Sequence, residues 1–358
     1  MKKSNRHRSK KIGMAPGSLV HVGEVKTAQP AVSIFGFAKD QLSERTLSTE
    51  TLASLALPDA GEKLWLNVHG AHDVALIRQI GQLFHLHPLV MEDILNTDQR
   101  AKVDQYGDYL YIVTRCFHYD AKKMEIGSEQ ISLVLGKHYV LSFQERATGS
   151  FDPVRERLRT EHAAIREQGA DYLAYALLDV VVDRYFGILE QMNDAAENLE
   201  DLLLRKPNAA LLTQIHLLKR ASMELRRAVW PLREVINSLL RNESAMFSPS
   251  TVLYLRDVYD HTVHFIESLE ALRDLLGGMM DIYLSSVSNR VNMEVRALTV
   301  VTMLFMPATL ISGIFGMNFE HIPWLADLDG FWFALALMAS IASLMGLIFW
   351  RRQWLSRG

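Results

Sequence analysis

The chain has a single cysteine, Cys116, among 358 residues. It can therefore form no internal disulfide and no C-x-x-C zinc pair, and nothing in it calls for an oxidising compartment. Neither G-x-x-x-x-G-K nor G-x-G-x-x-G occurs, so the common nucleotide cradles are missing. Lys2, Lys3, Arg6, Arg8, Lys10 and Lys11 are followed by no apolar run long enough for a signal-peptide core; residues 1–30 read as a flexible basic arm. A net charge of -3 supplies no broad basic footprint, which argues against nucleic acid as a partner. Charge itself runs out toward the C-terminus. Only Arg296, Glu320, Asp327, Asp329, Arg351, Arg352 and Arg357 are charged from Arg296 onward, against 38 basic and 41 acidic residues in the whole chain. A soluble, cytosolic part is joined to a membrane tail.

Two stretches of that tail, Ala297 to Phe315 and Phe331 to Trp350, carry no charge. Each has about the 20 residues that a bilayer core requires. Residues 316–329 between them hold Glu320, Asp327 and Asp329 but no Lys or Arg, whereas Arg351 and Arg352 abut the second stretch. The positive-inside rule then puts the short loop outside, residues 330–351 across the membrane and the basic tail 352–358 in the cytoplasm with the N-terminus. Trp324, Trp332, Trp350 and Trp354 fall near the expected interfaces, as an aromatic belt does.

Upstream, Leu255, Val258, Phe265, Leu269, Leu272, Leu276, Met279, Tyr283, Val287, Val291, Val295 and Leu298 keep a spacing of 3 or 4, with Thr262 in the one gap. No proline interrupts Ser250 to Met306, so the pattern predicts one helix over 249–315 that enters the membrane without stopping. At 1.5 Å per residue it is about 100 Å long and needs neighbours to cover its stripe. Ser285, Ser286, Ser288, Asn289 and Asn292 near the membrane suit identical stalks around a wet axis. Helices are also expected at Tyr172 to Leu204 and Asn208 to Asn242, an antiparallel pair beside the stalk, with Pro231 kinking or breaking the second.

The rest of residues 31–248 reads as an α/β domain. Strands are expected at Val32 to Phe37, Leu64 to Val68, Tyr109 to Phe117, Ile131 to Leu135 and Tyr139 to Phe143, the last two joined by a turn at Gly136-Lys137. Helices are expected at Asp73 to Phe84 and Pro88 to Leu95.

Gly316-Met317-Asn318 follows the first apolar stretch directly, preceded by Met306-Pro307-Ala308-Thr309 and Gly313. The tripeptide alone is weak, expected by chance in about one chain of this length in twenty; its place at the outer end of a membrane helix, before a short acidic loop and one last span, discriminates. Here the chain resembles the CorA family of divalent-cation channels. His87-Pro88-Leu89-Val90-Met91-Glu92-Asp93-Ile94-Leu95, Trp230-Pro231-Leu232-Arg233-Glu234, Arg256-Asp257-Val258-Tyr259-Asp260-His261 and Asp281-Ile282-Tyr283-Leu284-Ser285-Ser286 carry the resemblance further, from about residue 32 onward.

The resemblance implies a homopentamer in the cell's inner membrane: a cytosolic funnel of α/β domains, long stalk helices continuing into pore-lining spans, and second spans outside. It implies passage of Mg²⁺, with Co²⁺ and Ni²⁺ beside it, and closure when cytosolic Mg²⁺ occupies sites between subunits. By motif match those sites use Asp93 of one subunit and Asp257 of the next, with Glu92 and Asp179 nearby, and Asp281 stands at the pore entrance.

The residue types suit that chemistry. Mg²⁺ dehydrates reluctantly and prefers oxygen ligands in an octahedron. A ring of Asn318 amides with backbone carbonyls near Gly313, Gly316 and Met317 offers neutral acceptors that hold a hydrated ion and still release it. Thr309 and Asn292 can face the same axis as further polar stations. Val295, Leu298, Thr302 and Met306 lie between them at 3 or 4 spacing; Leu298 and Met306, flanked by Val295, are assigned to a hydrophobic gate that blocks by dewetting.

Other readings remain beside these. Asp257, Asp260, His261 and His264 could bind a transition metal but are expected to be a solvated helix face. The same residues could serve a membrane-tethered metalloenzyme, for which the sequence holds no other support. Glu190, Asp194, Glu197, Glu200 and Asp201 are expected to be an exposed face rather than a cation store. Zinc-transporting relatives tend to alter the middle of the triplet; Met317 is unaltered. Trp324 follows Pro323 where many relatives carry an acidic residue.

Overall fold

A computed structural model describes residues 13–47, 52, 55, 58, 61–241, 245–317 and 329–352. The chain divides into two compact units, Met1–Gly278 and Met279–Gly358.

The first unit is organised by one seven-stranded sheet in the order β2-β1-β3-β7-β6-β5-β4. The strands are β1 (Ala31–Ala38), β2 (Gln41–Leu47), β3 (Lys63–His69), β4 (Lys102–Tyr106), β5 (Tyr109–Asp120), β6 (Glu125–Leu135) and β7 (Tyr139–Gln144). β3 and β7 pair in parallel; the other neighbours are antiparallel. Val32, Ile34, Leu64, Leu66 and Val68 join a core with two helices, α1 (Val74–Leu83) and α2 (Pro88–Leu95). Because side chains alternate along a strand, Phe35 and Trp65 face the other way. Trp65 stacks on Phe35 at 5.0 Å, meets Phe151 edge-on at 6.0 Å and donates its indole N–H to Ser142 Oγ at 2.9 Å. Both faces are covered, which is why β5 is a near-continuous apolar run rather than an alternating one.

α1 starts at Asp73, whose carboxylate accepts from the N–H groups of Ala75 and Leu76. α2 starts at His87, whose ring accepts from Leu89 N, with Pro88 in the first turn where its missing N–H costs nothing. The sequence pattern does not reveal β2 and β4. They are the edge strands, polar and with a single neighbour each, so no apolar alternation marks them. A signal for β4 exists: Gly107-Asp108 is a two-residue loop closing Tyr106 against Tyr109, with Gly107 at φ +58°. The β6–β7 turn lies one residue later than expected, at Lys137-His138, closed by Gly136 N–H to Tyr139 O at 2.9 Å.

Two short helices, α3 (Asp152–Arg159) and α4 (Ala164–Glu167), lead to α5 (Ala170–Arg205) and α6 (Ala209–Arg241). α6 passes through Pro231 without the break that was one of the two outcomes expected there; the guanidinium groups of Arg226 and Arg233 lie 5.5 and 5.4 Å from the ring of Trp230 just before it.

α7 (Pro249–Phe315) is a single helix of 67 residues. Its first half runs alongside α5 in the same direction: Tyr254 meets Tyr172 and Tyr175, and farther on Phe265 meets Tyr185 and Phe186. α6 runs the opposite way, Arg226 pairing with Glu270 at 2.6 Å while Lys219 lies close to Gly277. Between these neighbours the stripe from Leu255 through Leu276 is buried. Thr262 fits the one polar place in it by donating its hydroxyl to Val258 O at 2.8 Å.

In the second unit, Val287, Val291, Val295 and Leu298 continue the stripe but are exposed. α8 (Gly330–Arg351) is apolar and largely exposed as well. Both α7 and α8 contain a stretch long and apolar enough to cross a membrane. An uncharged surface of this extent is stable in lipid and not in water.

Candidate functional site

On α7, Asp281, Asn292, Val295, Leu298, Met306, Thr309 and Gly313 are all solvent-facing in the single chain. At 3.6 residues per turn they fall within an arc of about 120°, so one face of the helix carries them all. Leu298 and Met306 are 68% and 61% exposed, which for apolar side chains calls for a covering partner. Nearer the end of α7, Thr302, Met306, Thr309, Gly313 and Met317 line one concave, mainly apolar surface. The Thr302 and Thr309 hydroxyls donate to Leu298 O at 2.9 Å and Phe305 O at 3.0 Å, leaving oxygen lone pairs available as acceptors. Gly316 caps the helix through its N–H to Ser312 O at 2.9 Å, and Met317 follows with a bond to Ile314 O. Asn318 lies outside the described residues, as do Glu320, Trp324 and Asp327.

The acidic residues sit on other elements, all in the first unit. Glu92 and Asp93 occupy the last turn of α2. Glu92 accepts the Gly17 N–H at 2.5 Å. Asp93 is engaged at both oxygens: Gln99 Nε2 donates to Oδ1 at 2.6 Å and Lys102 Nζ to Oδ2 at 2.7 Å. Lys102 also pairs with Asp104 at 2.7 Å. Burial works to lower the Lys102 pKa, but the hydrogen bonds to Asp104 and Asp93 outweigh it and hold the ammonium above its ordinary value.

Asp179 on α5 and Asp257 on α7 belong to a second group. Asp179, Asp183 and His261 place ligand-type atoms all within 4.8 Å of one another. Asp257 stands beside them, 3.8 Å from His261. Burial first, and then the charge of Asp183, pushes the Asp179 carboxyl up to about 6; Arg157, 3.9 Å away, opposes the shift without cancelling it. Such a carboxyl is poised to exchange a proton for a metal ion. A cluster of two carboxylates and an imidazole accepts Mg²⁺ through oxygen and softer divalents through nitrogen as well.

The group differs from the quartet considered on α7 alone. Asp260 stays exposed outside it, and the His264 ring lies 5.9 Å from that of Phe186. Asp183 is the residue that sequence reasoning passed over, and His261 was weighed only with its neighbours on α7; the matching four-residue steps from Asp179 to Asp183 and from Asp257 to His261 were the available signal. Within one chain Asp93 is not brought into this group. The acidic face of α5 is as expected, with Asp194, Glu197, Glu200 and Asp201 around a polar, open surface.

Residues 61–352 match the family model described as CorA-like Mg²⁺ transporter protein. The chain is 41% identical over 348 residues, 97% of its length and 98% of the relative's, to the cobalt/magnesium transport protein CorA of Thermotoga maritima. It is 24% identical over 305 residues, 84% of its length and 90% of the relative's, to the zinc transport protein ZntB of Yersinia enterocolitica. Among solved structures, the CorA magnesium transporter of Methanocaldococcus jannaschii superposes with a TM-score of 0.77, covering 92% of this chain and 99% of that one at 21% identity.

Proposed function

This chain belongs to the family of CorA-like Mg²⁺ transporter proteins, a family of transporters and not of enzymes; from that premise we propose that it is a channel for hydrated Mg²⁺, passing Co²⁺ and Ni²⁺ as well. The observation that carries the reading is the single face of α7, on which polar stations at Asn292 and Thr309 bracket the apolar residues Val295, Leu298 and Met306, all exposed in the lone chain. Five copies turning that face to a common axis cover it and make a tube. The homopentamer sits in the inner membrane with both termini in the cytoplasm: the arm 1–30, the domain 31–248, the stalk and first span 249–315, the outer loop 316–329, the second span 330–351 and the tail 352–358.

Asn318 forms the outer ring of amides, with Gly313, Gly316 and Met317 supplying backbone oxygens. Neutral acceptors bind a hydrated divalent ion weakly enough to pass it on. Leu298 and Met306 form the constriction that closes by shedding water, and Asp281 gathers cations at the cytoplasmic entrance. Uptake needs no nucleotide, because a divalent ion entering a negative interior gains about 4.6 kcal/mol per 100 mV.

Cytosolic Mg²⁺ closes the channel by bridging neighbouring domains. Asp93 of one subunit faces Asp257 of the next, with Glu92 and Asp179 alongside. Empty, these carboxylates repel and the subunits splay; filled, they are clamped. Zinc transport is the weaker alternative, since Met317 keeps the triplet unaltered.

The test is Mg²⁺ uptake into liposomes holding the purified protein under an inside-negative potassium diffusion potential. Uptake is expected from the wild type and lost in Asn318→Ala. Undiminished uptake by Asn318→Ala, or none by the wild type, overturns the channel reading.

A further inference from the structure

The Asp93 carboxylate is already occupied by its own chain. Oδ2 takes the Lys102 ammonium at 2.7 Å, and Oδ1 takes the Gln99 amide at 2.6 Å. The main chain of Asp93 is held too, its carbonyl accepting Gln130 Nε2 at 3.0 Å. A divalent cation that binds Asp93 must take lone pairs now given to Lys102, and it approaches against a positive charge.

Lys102 has somewhere to go. It begins the edge strand β4, and Asp104, two residues on and therefore on the same side of the strand, accepts the same ammonium at 2.7 Å. The two carboxylates differ in setting: the Asp93 side chain is 16% exposed and the Asp104 side chain 41%. The Tyr111 ring lies 5.6 Å from Nζ and keeps the ammonium close on a third side. A lysine stem carries a compact charge on a flexible chain, which suits a short move between two partners. A partly exposed pair of this kind is weak enough for a divalent ion to displace and strong enough to bias its binding.

We propose that Lys102 is a built-in competitor of the regulatory cation: it occupies Asp93 when the cation is absent, withdraws to Asp104 when the cation arrives, and so sets the concentration at which the site fills. This rests on the reading of Asp93 as a regulatory ligand. Lys102 acts as a positioning residue, through Asp93 and not by touching the ion.

The experiment measures protection of the full-length, detergent-solubilised protein against limited proteolysis as free Mg²⁺ is raised. Lys102→Gln is expected to lower the half-protecting concentration by about tenfold, the size of a lost charge-assisted competitor. Asp104→Asn removes the place of retreat and is expected to raise it by about threefold. Lys102→Arg keeps the charge and stays within about twofold of the wild type on the same grounds. A merely structural role moves Lys102→Gln and Asp104→Asn in the same direction, together with their melting temperatures, so opposite shifts support the competitor. The proposal is overturned if Asp93→Ala abolishes protection while Lys102→Gln leaves the half-protecting concentration unchanged or raises it. Should Lys102→Gln fail to fold, Asp104→Asn decides alone: a shift to higher concentration supports the proposal, and no shift or a fall overturns it. Protection that survives Asp93→Ala overturns the regulatory reading itself, and this inference with it.

Discussion

Asp179 on α5 and His261 on the stalk, far apart in sequence, hold ligand-type atoms within 4.8 Å of each other, with Asp183 as the third member of the group. The parallel course of α5 and α7 produces this meeting. Each helix repeats every 3.6 residues, so pairs four apart on both helices land side by side once Tyr175 meets Tyr254 and Phe186 meets Phe265. Two carboxylates and a ring are thereby brought to one level of the stalk, and the Asp179 carboxyl, by its burial there first and by the charge of Asp183 second, is pushed up to about 6.

That shift predicts a pH dependence. A carboxyl whose folded-state pKa lies above its ordinary value binds its proton more tightly when folded. Stability therefore falls as pH rises from about 4 to about 6 and stays low above that window. Asp179→Asn is expected to raise the melting temperature in EDTA at pH 7 and to flatten its fall between pH 4 and 6. Scanning calorimetry at four pH values checks this, and a variant that melts lower than the wild type at pH 7 refutes it.

At the proposed constriction, Leu298→Ser and Met306→Ser replace exposed apolar side chains with ones that hold water. If dewetting there blocks the tube, uptake at a Mg²⁺ concentration that closes the wild type is expected to rise by about tenfold or more. The liposome assay measures it. Uptake no higher than that of the wild type in both variants removes these residues from the gate.

The proposed closure by bridged carboxylates makes a separate demand. Asp93→Ala combined with Asp257→Ala is expected to abolish the protection against proteolysis that Mg²⁺ confers, while leaving the secondary structure seen by circular dichroism unaltered. Unchanged protection would falsify the assignment of the sensor.

The sheet can be tested independently of transport. Trp65 is fully buried between Phe35 and Phe151 and hydrogen-bonded to Ser142. Trp65→Ala leaves a cavity and takes the indole donor from Ser142 Oγ, whose own bond to Asn67 Oδ1 remains, at a cost of about 3–5 kcal/mol. Urea unfolding followed by far-ultraviolet dichroism reads that loss; a cost under about 1 kcal/mol contradicts the packing described.

Much of the architecture was legible in local pattern. The uncharged stretches announce the two membrane helices because the bilayer demands length and apolarity and little else. The 3 or 4 spacing from Leu255 to Leu298 announces one helix because burial needs only a continuous stripe, and even the exception at Thr262 is closed locally, by its bond to Val258 O. The edge strands β2 and β4 were not legible, since a strand with one neighbour and a wet face has no need of apolar alternation. Within the candidate site, the face of α7 followed from helical spacing alone. The resemblance placed Glu92, Asp93, Asp179 and Asp257, but nothing near them in sequence announced the partners they meet.

By itself, then, the amino-acid order determined the α/β class, the stalk, the two spans and the ring of candidate residues along one helix face, because each depends on periods of a few residues and on transfer between water and lipid. Only the tertiary structure decided that Asp93 is held by Lys102 and Gln99, and that Asp183 and His261 complete a group with Asp179. Those meetings depend on how α2 lies beside strand β4 and on two long helices running in the same direction, relations between distant segments that no local period encodes.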